Sequence, residues 1–73
     1  MSPALPVVSG ADAIQILVKL GFEQSSQRGS HVKLRHTNGR IVIVPLHKEL
    51  ARGTLRSILR QAGLSVEEFA AVM

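Results

Sequence analysis

The sequence predicts an α+β domain: a three-stranded antiparallel sheet with helices packed on one face, in the order α-β-β-β-α-α. Three observations predict it. The stretch His31-Val32-Lys33-Leu34-Arg35-His36 alternates polar and apolar with period two, as a half-buried strand does. A β-branched run, Ile41-Val42-Ile43-Val44, follows a Thr37-Asn38-Gly39-Arg40 turn signal. Two segments with helical spacing flank this pair: Ile14, Leu17 and Val18 before it, and Leu55, Ile58, Leu59 and Ala62 after it.

Residues 1–8 carry Pro3 and Pro6 and are expected as an extended lead-in. Ser9 with Asp12 three residues on reads as a capping box that starts the first helix, and Gly21 ends it. Phe22 to Gln27 is expected as a polar first strand, with Arg28-Gly29-Ser30 turning into the second, His31 to His36. Asn38-Gly39 suits a type I′ hairpin turn. The third strand, Ile41 to Val44, reads as central or covered, and Pro45 stops it. Leu46 to Arg52 is a connecting loop, and the second helix is expected over Thr54–Ala62 with Gly63 as its stop. Ser65 with Glu68 is a second capping box, opening a short last helix over 65–73.

The chain has 73 residues, which is room for one core and one domain, 1–73. Its apolar fraction of 45% is that of a folding sequence, not a disordered one. Nine Lys+Arg against five Asp+Glu give a net charge of +4, which suits a nucleic acid or an acidic protein as partner. Aromatics are scarce, with two Phe and no Tyr or Trp, so recognition by aromatic base stacking is disfavoured. With no cysteine, disulfides, thiolate catalysis and Cys-type zinc sites are excluded. No apolar run approaches the ~20 residues that span a bilayer, so no membrane partner is expected. Met1 to Pro6 lacks the charged start and apolar stretch of a signal peptide, which makes the cytoplasm the expected compartment.

Strand parity selects the candidate site. Val32 and Leu34 point one way; His31, Lys33 and Arg35 point the other. A histidine that can move protons near neutral pH thus shares a face with two fixed positive charges, as an RNA-cleaving surface requires. The bland alternative for His31 is an exposed strand histidine with no role. Gly29 either permits a tight turn or a close approach to phosphate, and Ser30 either binds phosphate, orients His31 or serves the turn. Arg28, Arg40, Arg52, Arg56 and Arg60 are candidate phosphate contacts, each with a solvated-surface alternative. His36 shares parity with Val32 and Leu34 and reads as structural. His47 is either a second acid/base or a structural or substrate-positioning residue, and the latter is favoured because a loop is hard to preorganise. His31, His36 and His47 lack metal-ligand spacing, and parity sets His31 and His36 on opposite faces. No metal or other cofactor is expected.

Four stretches together resemble one family: Val8-Ser9-Gly10, Gly29-Ser30-His31, Val44-Pro45-Leu46-His47, and Gly53-Thr54-Leu55-Arg56-Ser57-Ile58-Leu59-Arg60-Gln61-Ala62-Gly63-Leu64. In this order and spacing they are similar to the HicA toxins, or YcfA-like family, of toxin–antitoxin modules, from about Pro6 to Phe69. The resemblance implies a fold like that of double-stranded-RNA-binding domains. It also implies an endoribonuclease (an mRNA interferase) that cuts mRNA without the ribosome and arrests growth, with the histidine of the Gly-Ser-His motif, His31, as the catalytic residue. A HicB-type antitoxin that covers this histidine is the implied protein partner, and RNA the implied substrate. Two other classes remain open on the residues: a non-catalytic RNA-binding module of the same fold, and a protein-interaction domain whose basic face meets an acidic partner.

Overall fold

The computed structural model describes residues 4–73; the first three residues of the expected lead-in lie outside them. Its elements are α1 (Gly10–Lys19), β1 (Phe22–Arg28), β2 (His31–His36), β3 (Ile41–Pro45), α2 (Arg52–Ala62) and α3 (Val66–Ala70). This is the expected order, with a three-stranded antiparallel sheet in the order β1-β2-β3. Among the described residues no helix is long and apolar enough to cross a membrane.

Helix α1 starts as its sequence dictates. The Ser9 hydroxyl accepts from the Asp12 N–H at 3.0 Å, and the Asp12 carboxylate accepts from the Ser9 N–H at 3.3 Å. The helix buries Ala13, Ile14, Ile16 and Leu17; this corrects the expected stripe at Val18, which is 48% exposed, while Ile16 turns into the core. Helix α2 begins at Arg52, two residues before the expected Thr54: Ala51 takes the extended cap conformation and its carbonyl already accepts from the Leu55 N–H at 2.9 Å. At its end Leu64 N–H bonds the Leu59 carbonyl and Gly63 N–H the Arg60 carbonyl, a Schellman motif that turns Leu64 back onto the core. Its apolar stripe is the expected one, Leu55, Ile58, Leu59 and Ala62.

The core is one cluster between the helices and one sheet face. Val32 and Leu34 of β2 and Val42 and Val44 of β3 meet Leu17, Leu55, Ile58 and Phe69. The central strand is β2, which corrects the expectation for β3: it is an edge strand. Its β-branched run is not buried on both sides, because Val42 and Val44 face the helices while Ile41 and Ile43 remain 42% and 41% exposed on the other face. Its edge is partly closed from α2, where the Gln61 side-chain oxygen accepts from the Ile43 N–H at 3.2 Å and its amide donates to the Ser57 hydroxyl at 3.1 Å.

Both hairpin turns follow from backbone geometry. Between β1 and β2 the loop is Gly29-Ser30, with positive φ (58°) at Gly29 and none at Ser30, the requirement of a type II′ turn. The β2–β3 turn corrects the type I′ expectation. Among the described residues no non-glycine residue has positive φ, so Asn38 does not occupy a type I′ position. Instead Gly39 N–H bonds the His36 carbonyl, Gly39 carries φ 93°, and His36 N–H bonds the Arg40 carbonyl: a three-residue loop with a glycine bulge. The Asn38 side chain serves this loop by accepting from the Arg40 N–H at 2.9 Å.

Helix α3 is anchored by fully buried Phe69 and opened by the expected capping box, Ser65 hydroxyl with Glu68 N–H (3.0 Å) and Glu68 carboxylate with Ser65 N–H (2.9 Å). Ser65→Ala is expected to lower unfolding stability by about 1 kcal/mol, read by thermal melting. The backbone and side-chain hydrogen bonds from Ser65 hold the Glu68 carboxyl below its usual range. Because the folded value lies below the unfolded one, this contribution is complete above the ordinary carboxylate range and is lost as pH falls through the lowered value. The difference in melting temperature between the native chain and Glu68→Gln is therefore expected to be present at neutral pH and to vanish in acid.

Candidate active site

Cross-strand pairing sets which side chains share the sheet face that no helix covers. On β2 these are His31, Lys33 and Arg35, as parity predicts. Opposite them on β3 lie Pro45, Ile43 and Ile41, and opposite them on β1 lie Arg28, Ser26 and Glu23. His31 and Arg35 are exposed and Lys33 is half-buried.

Arg28 reaches this face through a feature that simple alternation misses. Arg28 and Phe22 are six residues apart and would share a face in a regular strand; Phe22 is in the core. The register shifts between Gln24 and Ser26, so Ser25 is an extra residue in the strand, a β-bulge, and everything after it changes face. Arg28 thereby stands directly opposite His31, with the Gly29-Ser30 turn joining them. Bulges carry little sequence signal here, where β1 is polar on both faces.

Three backbone hydrogen bonds then fix the segment after β3. Leu46 N–H donates to the Ser30 carbonyl at 2.7 Å, Gly10 N–H to the His47 carbonyl at 2.9 Å, and Leu50 N–H to the Val8 carbonyl at 2.9 Å. The Gly-Ser turn, the His47 backbone and the start of α1 thus form one joined layer at the His31 end of the sheet. The loop that carries His47 is tied at three backbone points. The His47 side chain is exposed.

The remaining candidates separate from this group. His36 lies on the helix-side face, its ring edge-on to Phe22 with centroids 4.9 Å apart, and its Nδ1 accepts from the Asn38 N–H at 3.1 Å. That is the structural role its parity predicts. Arg40 packs against Gly63, and its guanidinium donates to the Gln61 carbonyl at 3.4 Å, where the negative end of α2 favours a cation. Arg56 and Arg60 are exposed on α2, in the helix layer and away from the His31 face, and Arg52 opens that helix. Among the described residues, no three His, Cys, Asp or Glu side chains are gathered as a metal site would need. Ile41 and Ile43, which alternate with the buried Val42 and Val44, are exposed on the same face as His31.

The arrangement offers a proton-transferring imidazole beside one guanidinium across the strand and one ammonium along it. This is the minimum for moving a proton at a phosphodiester while holding its anionic oxygens.

Comparison with known proteins agrees with this reading of the fold. Residues 10–64 match the family described as HicA toxin of bacterial toxin–antitoxin systems. No relative is found among curated proteins. A solved structure, a toxin–antitoxin complex from Streptococcus pneumoniae, is similar to this chain with a TM-score of 0.68 and 31% identity, covering 78% of this chain and 98% of that one. The fold, the motif order and the family match over most of the chain lead to one conclusion: the chain belongs to the HicA toxin family.

Proposed function

We propose that this toxin is a metal-independent endoribonuclease that cleaves mRNA, with His31 as its general acid/base, and that a HicB-type antitoxin inhibits it by covering that histidine. The observation that carries the reading is the placement of His31. It is exposed on the open sheet face, directly opposite Arg28 and on the same face as Lys33.

In this reading the 2′-hydroxyl of the RNA attacks the adjacent phosphorus. The O2′–P bond forms, the P–O5′ bond breaks, and neutral His31 takes the hydroxyl proton. A proton from water completes the leaving 5′-hydroxyl. Arg28 and Lys33 balance the charge that gathers on the phosphoryl oxygens. Arg35 holds RNA farther along the strand, the Gly29-Ser30 turn lets the backbone approach, and His47 positions substrate. The products are a 2′,3′-cyclic phosphate and a 5′-hydroxyl. The family and the toxin–antitoxin neighbour support a protein antitoxin as partner, and such a pair acts in the cytoplasm.

The test is cleavage of a long single-stranded RNA by purified protein in EDTA, beside His31→Ala. Cutting by the native chain alone, leaving cyclic phosphate ends, is the expected result. Products bearing only 3′-hydroxyl ends would sink the 2′-hydroxyl route. Binding without cutting by either protein would leave the second reading, a non-catalytic RNA-binding module.

A further inference from the structure

The open face has an order that the ribonuclease reading does not use. The two cations of β2 each stand across from an exposed aliphatic residue of β3, Lys33 opposite Ile43 and Arg35 opposite Ile41, while His31 stands opposite the buried Pro45. Directly opposed side chains lie about 5 Å apart, and successive pairs on one face repeat every ~6.8 Å. A nucleotide has the same two-part chemistry, an anionic phosphate joined to a base with apolar flat faces, and the covalent repeat of an extended strand is of similar length. Ile41 and Ile43 are 42% and 41% exposed although their β-branched neighbours Val42 and Val44 are fully buried, so among the described residues this apolar surface is left partly open.

We propose that the open face is a binding track for unpaired RNA, with phosphates along β2 and bases lying against Ile41 and Ile43 on β3. The inference rests on the ribonuclease reading and adds how an unpaired strand lies on this face, with its bases on the β3 isoleucines. A duplex hides its base faces within its own stack and so cannot reach the isoleucines. The scissile phosphate sits at His31 and the following ones run toward the β2–β3 turn. Lys33 is the strongest point of the track, because Ser26 is its neighbour on β1, whereas Arg35 has the carboxylate of Glu23 opposite it. Among the described residues, Glu23 is the single acidic side chain on the strands of this face. An acidic protein could also meet a basic and apolar face, but it has no reason to follow a cation–aliphatic pair at a nucleotide-like repeat leading to His31.

The test uses a short, unstructured 2′-O-methyl RNA, which lacks the attacking hydroxyl, as a single strand and as a duplex with its complement. Binding is measured over a salt series for the native chain, for Lys33→Gln, and for the double variant Ile41→Thr with Ile43→Thr. Threonine is β-branched and both positions are exposed, so the fold is expected to persist, as a melting curve checks. The single strand is expected to bind at least about tenfold more tightly than the duplex. Lys33→Gln is expected to reduce the slope of log affinity against log salt by about 0.7. The threonine variant is expected to weaken binding roughly tenfold with the slope unchanged, because it removes apolar contact and no charge. Equal binding of duplex and single strand, or native affinity in the threonine variant, overturns the track. Cleavage of the ordinary RNA of the same sequence is scored separately. If cleavage is absent while binding behaves as expected, the ribonuclease reading fails and the track stands. If cleavage proceeds and the isoleucines prove irrelevant, the track alone fails.

Discussion

His31→Ala is expected to lower the rate of RNA cleavage by about 10³-fold while RNA binding and folding stay near native. The size follows from the role: a positioned acid/base contributes roughly 10²–10⁴ to a proton transfer. The selectivity follows from position. His31 is exposed at the start of β2 and packs into no part of the core, so its removal costs the fold within about 0.5 kcal/mol. In the proposed mechanism Arg28, Lys33 and Arg35 remain to hold phosphate, so affinity for RNA should fall little. A rate assay beside a binding titration and a melting curve separates the three quantities. Activity retained within a few-fold would move the acid/base role away from His31, and the pinned His47 would be the residue to test next. A loss of binding as large as the loss of rate would instead make His31 a phosphate contact.

Gly10→Ala is expected to destabilise the protein by about 3 kcal/mol, lowering the melting temperature by roughly 12–24 °C. The sign is the informative part. Gly10 is the first residue of α1 with ordinary helical backbone, and at such a position alanine usually stabilises by about 0.4–1 kcal/mol through the unfolded chain. Here a Cβ would run into the Pro45 carbonyl oxygen and stand 2.9 Å from the Leu46 Cα, backbone that cannot rotate aside. Helix α1 would have to withdraw, stretching the bond from Gly10 N–H to the His47 carbonyl. The same shift loosens the layer that joins His47 to the Ser30 turn, so cleavage should fall along with stability. A melting temperature within about 2 °C of native would show that the helix start tolerates the shift. Against total stabilities of about 5–15 kcal/mol for small domains, the expected loss is severe.

Most of the architecture was legible in the residues because it depends on local rules. The capping boxes at Ser9 and Ser65, the glycine stops and the period-two alternation of β2 each report a local backbone preference, and each forms as read. The face that carries His31, Lys33 and Arg35 was legible for the same reason: alternation is a property of one strand. The turn at Asn38-Gly39 misled, since the same dipeptide serves a type I′ turn and a three-residue loop with a glycine bulge, and only the strand register distinguishes them. The β-branched run of β3 misled about burial because Ile and Val at alternate positions look alike whether one face or two are covered.

By itself, then, the sequence determined the order of elements, the core stripe of α2, the family and the strand that presents His31, because hydrophobic period and capping chemistry act over a few neighbouring residues. The tertiary structure decided what depends on pairing between distant segments. It placed the extra residue at Ser25 that turns Arg28 toward His31, the hydrogen bonds that hold the His47 segment beside Ser30, and the register that sets Ile43 and Ile41 across from Lys33 and Arg35. Register is fixed only when two strands meet, and a shift of one residue exchanges the two faces of a strand.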